Sequence, residues 1–274
     1  MAEPELRPRS VTEIVDETFR LYRSNFLHFV AVSAVIQVPL GILWSVYTGL
    51  MQHGTLTGSP GFTPVGIGVG FFVLWLFSVI GYQLCTGALL KSVSESYLGG
   101  EISVGTAYDF VLPRLFRLVV NALLVLLIVV AGFLLLIVPG IIFTLWFCIV
   151  AHTIVLEDEG ILGALGRSKR LVSGNLRRAA GLLLLVGILG WVISAIFQMA
   201  GGQIARLLAA DLVIVRLTIS QAVRLVGGVL VVPIQAAALV LFYYDLRMRK
   251  EGFDLELLAE RMGAGAQPAD LPSE

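Results

Sequence analysis

The chain has 274 residues, 57% of them apolar and only 14% charged, with 19 Lys plus Arg set against 19 Asp plus Glu. Soluble domains carry about 25% charged residues, so the deficit excludes an ordinary soluble domain, and the balanced charge leaves no basic footprint for a nucleic acid. A transmembrane β-barrel is excluded as well: its strands alternate polar and apolar residues, whereas LLVLLIVVAGFLLLIV (123–138) is apolar on every side.

What remains is an all-α, polytopic membrane protein. Residues 1–9 are polar, carry no cleavable signal pattern and are expected to be disordered, so the first crossing would itself direct insertion. Ser10-Val-Thr-Glu13 reads as a capping box, in which serine and glutamate side chains satisfy the orphan amides of a helix start. The helix beyond it gathers Val11, Ile14, Val15, Phe19 and Tyr22 on one face. The next 67 residues, Ser24–Leu90, contain no Asp, Glu, Lys or Arg. About 20 apolar residues suffice to cross a bilayer as a helix. This stretch therefore holds two crossings, at 27–50 and 65–90, joined by the loop GTLTGSPGFTPVG.

Ser103-Val-Gly-Thr106 opens a second amphipathic segment, with Val104, Ala107, Tyr108 and Val111 in register. The charge-free run Leu118–Leu156 follows, 39 residues long, with crossings at 117–137 and 141–157. Val138-Pro139-Gly140 between them reads as a tight turn, because proline cannot continue the helical ladder and glycine tolerates a sharp reversal. A third amphipathic segment, GILGALGRSKRLVSGN (160–175), ends in Arg170-Leu171 and Asn175, as the first ends in Arg20-Leu21 and Asn25. Its fifth crossing is expected at 179–200 and the sixth at 224–245. The chain thus reads as three units, each an interfacial amphipathic helix followed by a transmembrane hairpin, with Pro39, Pro139 and Pro233 at related positions. Residues 10–250 form the six-helix domain, 251–262 a short helix with Phe253, Leu255, Leu257 and Leu258, and 263–274 a disordered tail.

Basic residues give the orientation. Arg206, Arg216 and Arg224 lie between the fifth and sixth crossings, and the other sixteen of the 19 fall on the opposite side. The positive-inside rule then puts both termini in the cytoplasm of a bacterial inner membrane. The segment IARLLAADLVIVRLTISQAVRLV (204–226) has two readings. Residues 201–223 form an outer interfacial helix whose arginines snorkel to water, or Arg206, Asp211, Arg216 and Arg224 line a path for a ligand or ion.

Two stretches resemble a known family. In AHTIVLEDEGILGALGRSKRLVSGN (151–175), an acidic residue and glycine precede an Ala-Leu helix, then Ser-x-x-Leu and a small residue before Asn. LFYYDLRMRKEGFDLELL (241–258) carries a tyrosine pair, Asp-Leu-Arg and Arg-Lys-Glu-Gly-Phe-Asp. Together they resemble the membrane domain of bacterial glycerophosphoryl diester phosphodiesterases, with Arg170, Asn175, Tyr244, Asp245, Arg247, Gly252 and Asp254 as the motif residues. The resemblance spans about Ser10 to Leu258 and implies six crossings. In the enzymes, it implies, catalysis belongs to a separate soluble barrel of about 250 residues. Only 29 residues follow Asp245 here, so the resemblance carries no activity to any position.

Nothing else in the chain reads as catalytic. His28, His53 and His152 share no metal-ligand spacing, and Cys85 and Cys148 fall inside crossings as apolar packing residues. Gly66, Gly68 and Gly70 suit close helix packing. Glu157-Asp158-Glu159 complements the dipole of the third amphipathic helix and faces nearby basic residues. Gln37, Gln83, Asn121, Gln198 and Gln235 are expected to hydrogen-bond between helices. The sequence therefore predicts a non-enzymatic structural, regulatory or partner-binding membrane module without a cofactor or metal. Its partners would be the bilayer, anionic headgroups at the cytoplasmic face, and a protein. The alternatives are a transporter or channel for a small solute or lipid, and the membrane part of a glycerophosphodiester-metabolising system.

Overall fold

A computed structural model describes residues 9–57, 63–100, 103–208 and 213–252. All regular structure among them is helical, and six of the helical stretches are long and apolar enough to span a membrane. The three expected units are present. In the first, α1 (Val11–Ser24) leads into a hairpin of α2 (Phe26–Thr57) and α3 (Pro64–Leu98). In the second, α4 (Val104–Val111) and one 3-10 turn lead into α5 (Leu115–Leu135), which pairs with α6 (Ile137–Trp146) and its continuation α7 (Val150–Leu156). In the third, α8 (Ile161–Val172) leads into α9 (Leu176–Leu208) and α10 (Val213–Glu251).

Local chemistry sets the helix starts. The Ser10 hydroxyl accepts from the Glu13 amide at 3.2 Å while the Glu13 carboxylate accepts from the Ser10 amide at 2.6 Å. Ser103 and Thr106 make the same reciprocal pair at 3.2 and 3.1 Å. Thr63 caps α3 through the Gly66 amide at 3.1 Å, with Pro64 in the first turn, where an N–H would have no helical partner anyway. The third unit begins at Gly160 without a side-chain cap.

The second hairpin corrects the expected turn. The reversal is at Leu136, whose backbone is extended (φ −166°, ψ 156°), while Pro139 and Gly140 already belong to the first turns of α6. Proline is harmless there for the same reason as in α3. The glycine instead permits close approach, since a Cβ on Gly132 would lie 3.0 Å from the Gly140 Cα. The glycine expectation for α3 holds only at Gly70, where a Cβ would meet the Tyr47 ring at 2.9 Å. Gly66 lies under Thr63, and Gly68 has nothing within 4 Å.

The third hairpin corrects the outer segment. No separate interfacial helix covers 201–223 among the described residues, because α9 continues to Leu208 and α10 starts at Val213. A Cβ on Gly201 would stand 3.1 Å from the Ser220 carbonyl oxygen, so this glycine lets the two helices stay packed to their outer ends. With 39 residues rising about 1.5 Å each, α10 is longer than a bilayer with its headgroups. Residues 1–8 and 253–274, including the expected tail and most of the expected terminal helix, lie outside the described residues. Arg9, assigned to the disordered start, is instead buried. Glu251, assigned to the terminal helix, closes α10.

Packing is concentrated at one end. Buried Ile14, Tyr22, Phe29, Leu89, Leu90, Val93, Ile154, Leu171, Leu182 and Phe242 lie where α1, α4 and α8 meet the ends of the long helices. Toward the other end Leu43, Val46, Phe72, Phe77, Leu134, Leu135 and Ile196 are exposed, a surface that matches hydrocarbon rather than water. We call the packed end the charged end, since all but three of the described basic residues belong to it.

Candidate functional site at the charged end

Asp245 is the most buried carboxylate among the described residues, at 0% exposure. It sits late in α10, and an isolated charge there would be costly, so its surroundings matter. Its Oδ1 accepts from the Arg9 backbone N–H at 2.7 Å and from Arg249 Nε at 3.1 Å. Its Oδ2 accepts from Arg178 Nη2 at 2.9 Å and from Arg249 Nε at 3.0 Å. Both arginines also donate to the Arg9 carbonyl, Arg249 at 3.0 Å. One carboxylate therefore ties the segment before α1 to the start of α9 and the end of α10.

A layer of aromatic rings backs this clamp. The Arg9 guanidinium pairs with Glu17 at 3.0 Å and lies 5.9 Å above the Tyr97 ring. Tyr97 stacks on Tyr244 at 5.5 Å, and the Tyr244 hydroxyl shares a 2.6 Å hydrogen bond with Ser94. Tyr244 and Asp245, neighbours in the closing motif, thus anchor α10 to α3 and to α1 and α9 respectively.

Two further networks complete the surface. Tyr243 Oη donates to Glu157 at 2.6 Å, and Glu157 also accepts from Arg167 Nε at 2.5 Å and Nη2 at 3.0 Å. Arg167 reaches Glu251 at 2.8 Å, and Arg247 reaches the same carboxylate at 3.3 Å. The hydrogen bonds from Arg167 to Glu251 and then Glu157 push the guanidinium above its already high ordinary value. In the turn before α8, Asp158 adopts φ 56°, a left-handed conformation that Asp tolerates better than most residues. Its carboxylate accepts from Arg117 at 2.7 Å and Arg114 at 2.9 Å, which hold it below the ordinary carboxylate value, the Arg117 hydrogen bond contributing most. Arg117 also donates to the Asp158 and Glu159 carbonyls at 3.0 and 3.2 Å. The acidic triplet is thus held mainly by arginines of other elements rather than by the dipole of α8.

Of the motif residues, Tyr244, Asp245 and Arg247 come together here, and the other described ones are peripheral. The Arg170 carbonyl accepts from Lys250, the Asn175 carbonyl accepts from the Ala179 amide at 3.0 Å to open α9, and Gly252 closes α10 at φ 63°. Asp254 and Asp211 lie outside the described residues. Sequence reasoning missed Arg9, Arg178, Arg249, Arg167 and Tyr243 as members of these networks, while it had Glu157 facing basic residues without naming them. Only Arg249, four residues after Asp245 on the same helix face, had a local signal.

The buried amides do not behave as expected. Asn121 is 1% exposed, yet neither side-chain polar atom has a hydrogen-bond partner among the described residues, and Gln37 Nε2 has none either. Longer or backbone-hugging donors link the helices instead: Trp44 to Ser78 at 2.7 Å, Tyr108 to the Val32 carbonyl at 2.5 Å, and Ser33 to the Val229 carbonyl at 2.8 Å. His152 is buried and stacks on Tyr243 at 5.9 Å, far along the chain from His28. Among the described residues no group of three His, Cys, Asp or Glu side chains is arranged to hold a metal ion.

At the opposite end, Arg206 and Arg224 are exposed and Arg216 is half-buried, and none of them forms an ion pair among the described residues. They do not converge on one site. Arg224 occupies a strip of α10 between residues that face α9 (Ser220, Val223, Gly227) and residues that face α2 (Gln221, Leu225, Gly228). It donates to Gln221, which in turn donates to Thr48 at 3.2 Å. Arg206 lies on a different face, near the end of α9.

Residues 110–246, half of the chain, match the family described as Domain of unknown function (DUF7847). The chain belongs to that family. The DUF7847 region runs from α4 to Leu246, so it includes Asp245, Arg178 and the Glu157–Arg167 pair but neither α1 nor the first hairpin. A UPF0259 membrane protein of Pectobacterium carotovorum is 31% identical over 103 residues, which make up 38% of this chain. The matched part is 41% of that protein, so the chain spans about two-fifths of the length of the curated relative. No solved structure matches. With six membrane-length apolar helices, this DUF7847 member is an integral membrane protein.

Proposed function

We propose that this DUF7847 protein is a non-enzymatic module of the bacterial inner membrane, with both termini in the cytoplasm. Its charged end is a rigid platform for anionic headgroups and a protein partner. One observation carries the reading: Asp245, Glu157, Asp158 and Glu251 are each engaged by arginines of another element. These groups lock the interfacial helices to the long ones instead of surrounding an open, reactive space. Arg23, Arg170 and Arg177 remain exposed at that end without a carboxylate partner among the described residues, free to meet a surface. Each cation near an anionic leaflet contributes about 1 kcal/mol.

Cross-linking in native membranes, followed by identification of bound proteins and lipids, tests the module reading. A partner whose capture is lost when Arg23, Arg170 and Arg177 are all replaced by Gln supports it. Hydrolysis of a glycerophosphodiester by the purified chain, abolished by substitution of a membrane residue, overturns it. Reporter fusions at each terminus test the topology. The likeness of residues 241–258 to the phosphodiesterase membrane domain supports a finer version, in which the partner belongs to a glycerophosphodiester-metabolising system.

A second reading, passage of a small solute or lipid, is favoured by the exposed Arg224 between the α2 and α9 contact lines. It requires flux in proteoliposomes that Arg224→Ala stops.

A further inference from the structure

The arginines at the opposite end are not absorbed by the platform, and Arg206 has surroundings of its own. It stands at the outer end of a recess of about 460 Å³ on the face of α9, bounded also by Gln203, Gly202, Gln198, Ala195 and Trp191. These positions share one helix face, turned away from Gly190 and Gly201, which pack against α10. The recess therefore opens to lipid. Arg178 belongs to the clamp at the charged end, and the helical rise over the 28 residues from there to Arg206 is about 42 Å. A bilayer with its headgroups is about 40–45 Å thick. If Arg178 is level with one headgroup layer, Arg206 is level with the other.

The order of side chains below Arg206 follows the chemistry of a phospholipid. A guanidinium at phosphate depth offers paired donors to a phosphodiester. Gln203 and Gln198 come next, one and two turns inward, and both are exposed. An amide facing hydrocarbon is costly unless something hydrogen-bonds to it, and the ester carbonyls of a glycerolipid lie at the depth of Gln203, about 4.5 Å below Arg206. Between the two glutamines a Cβ on Gly202 would meet nothing within 4 Å, and below them Ala195 adds little bulk, so space remains for an acyl chain. Trp191, 72% exposed, stands at the inner end with a flat ring for that chain to lie against. Arg206 forms no ion pair among the described residues, so its charge is unspent. No described carboxylate lines the recess to receive the ammonium of a zwitterionic headgroup.

We infer that this recess is a binding site for an anionic phospholipid of the leaflet opposite the charged end, with Arg206 on its phosphodiester and an acyl chain running down to Trp191. The inference concerns the other leaflet from the platform and does not depend on it.

The test uses the full chain in proteoliposomes with photoactivatable phosphatidylglycerol or phosphatidylethanolamine, the probe group being in the acyl chain. Cross-linked peptides are mapped by mass spectrometry. The phosphatidylglycerol probe should label residues 191–202 about five-fold more than the zwitterionic probe, the preference that a single interfacial cation supplies. Arg206→Ala should remove that preference, Arg206→Lys should keep part of it, and labelling near α1 at the charged end should not change. Gly202→Leu, which fills the recess without altering charge, should lower labelling by both probes and stands in if the alanine variant does not fold. Equal labelling by the two probes, or a preference that survives Arg206→Ala, overturns the site. Competition by soluble glycerol phosphate as effective as that of lipid also overturns it, because the recess would then bind a free phosphate and not a lipid.

Discussion

Replacing Asp245 by Asn removes one charge from the charged end and changes almost no volume. The amide oxygen of the new side chain would still accept from the Arg9 amide, but its NH2 would face Arg178 or Arg249, a donor against a donor. Two guanidiniums would then lack their carboxylate. Breaking a buried ion pair by removing one partner typically costs about 3–5 kcal/mol. Here the arginine side chains are 27% and 30% exposed, so water partly rehydrates them, and the loss should fall near the low end, about 3 kcal/mol. The assay is unfolding of the purified protein in mixed micelles of rising SDS content, with the first-turn amides of α1 followed by hydrogen exchange. Asp245→Asn should lower the midpoint and release the Arg9 segment before the long helices melt. Combining it with Arg178→Gln should cost less than the two single losses together, because the partners share one interaction. A variant as stable as the parent within about 0.5 kcal/mol, or strictly additive losses, would refute the clamp.

Three further outcomes follow from the geometry. Gly132→Ala should weaken the α5–α6 hairpin by about 1–3 kcal/mol, since its methyl meets the Gly140 backbone at 3.0 Å, whereas Gly187→Ala, with nothing within 4 Å, should be neutral or slightly stabilising in the same SDS titration. Ser10→Ala should cost about 1 kcal/mol and speed amide exchange at Glu13, because the Glu13 amide loses its hydroxyl acceptor while the backbone N–H of residue 10 keeps the Glu13 carboxylate. The Asp158 carboxyl is held below its ordinary 3.8 by Arg117 and Arg114, so the contribution of this contact is full above 3.8 and lost as pH falls from there through the lower folded-state value. Hydrogen exchange of the 157–160 turn, corrected for the intrinsic pH dependence, should show release only below 3.8 and no such step in Asp158→Asn; release at or above 3.8 contradicts the assignment.

The features that were legible before the fold are those with local causes. Charge-free runs gave the six crossings, because a bilayer demands continuous apolar length. The capping residues Ser10 and Ser103 gave the starts of α1 and α4, because a cap acts within three residues. The misreadings have a common origin in contacts that local spacing does not encode. Val138-Pro139-Gly140 looked like a turn because proline and glycine break helices in isolation. In the fold the proline falls where its missing N–H does not matter, and the glycine serves contact with Gly132. The span 201–223 looked like a separate surface helix because its arginines shorten the apolar run, yet Gly201 packs against the Ser220 carbonyl and keeps both helices paired beyond it.

The charged-end networks were invisible for a related reason. Arg178 and Asp245 are 67 residues apart, Arg9 and Asp245 are 236 apart, and Tyr243 and Glu157 are 86 apart. In a soluble protein, such charges have a whole surface over which to disperse. Here six crossings confine them to two thin layers, and three interfacial helices compress one layer further. A carboxylate at the end of a span must then either reach headgroups and water or find a cation from another unit. Asp245, one residue after the last charge-free run, cannot reach water past Arg9 and Tyr97, so cationic partners are required. The closing Tyr-Asp-Leu-Arg motif is therefore best understood as the point where α10 is joined to the rest of the charged end. The same confinement leaves Arg206 exposed at the far layer, where no described carboxylate pairs with it and a lipid phosphate is the nearest abundant counter-ion.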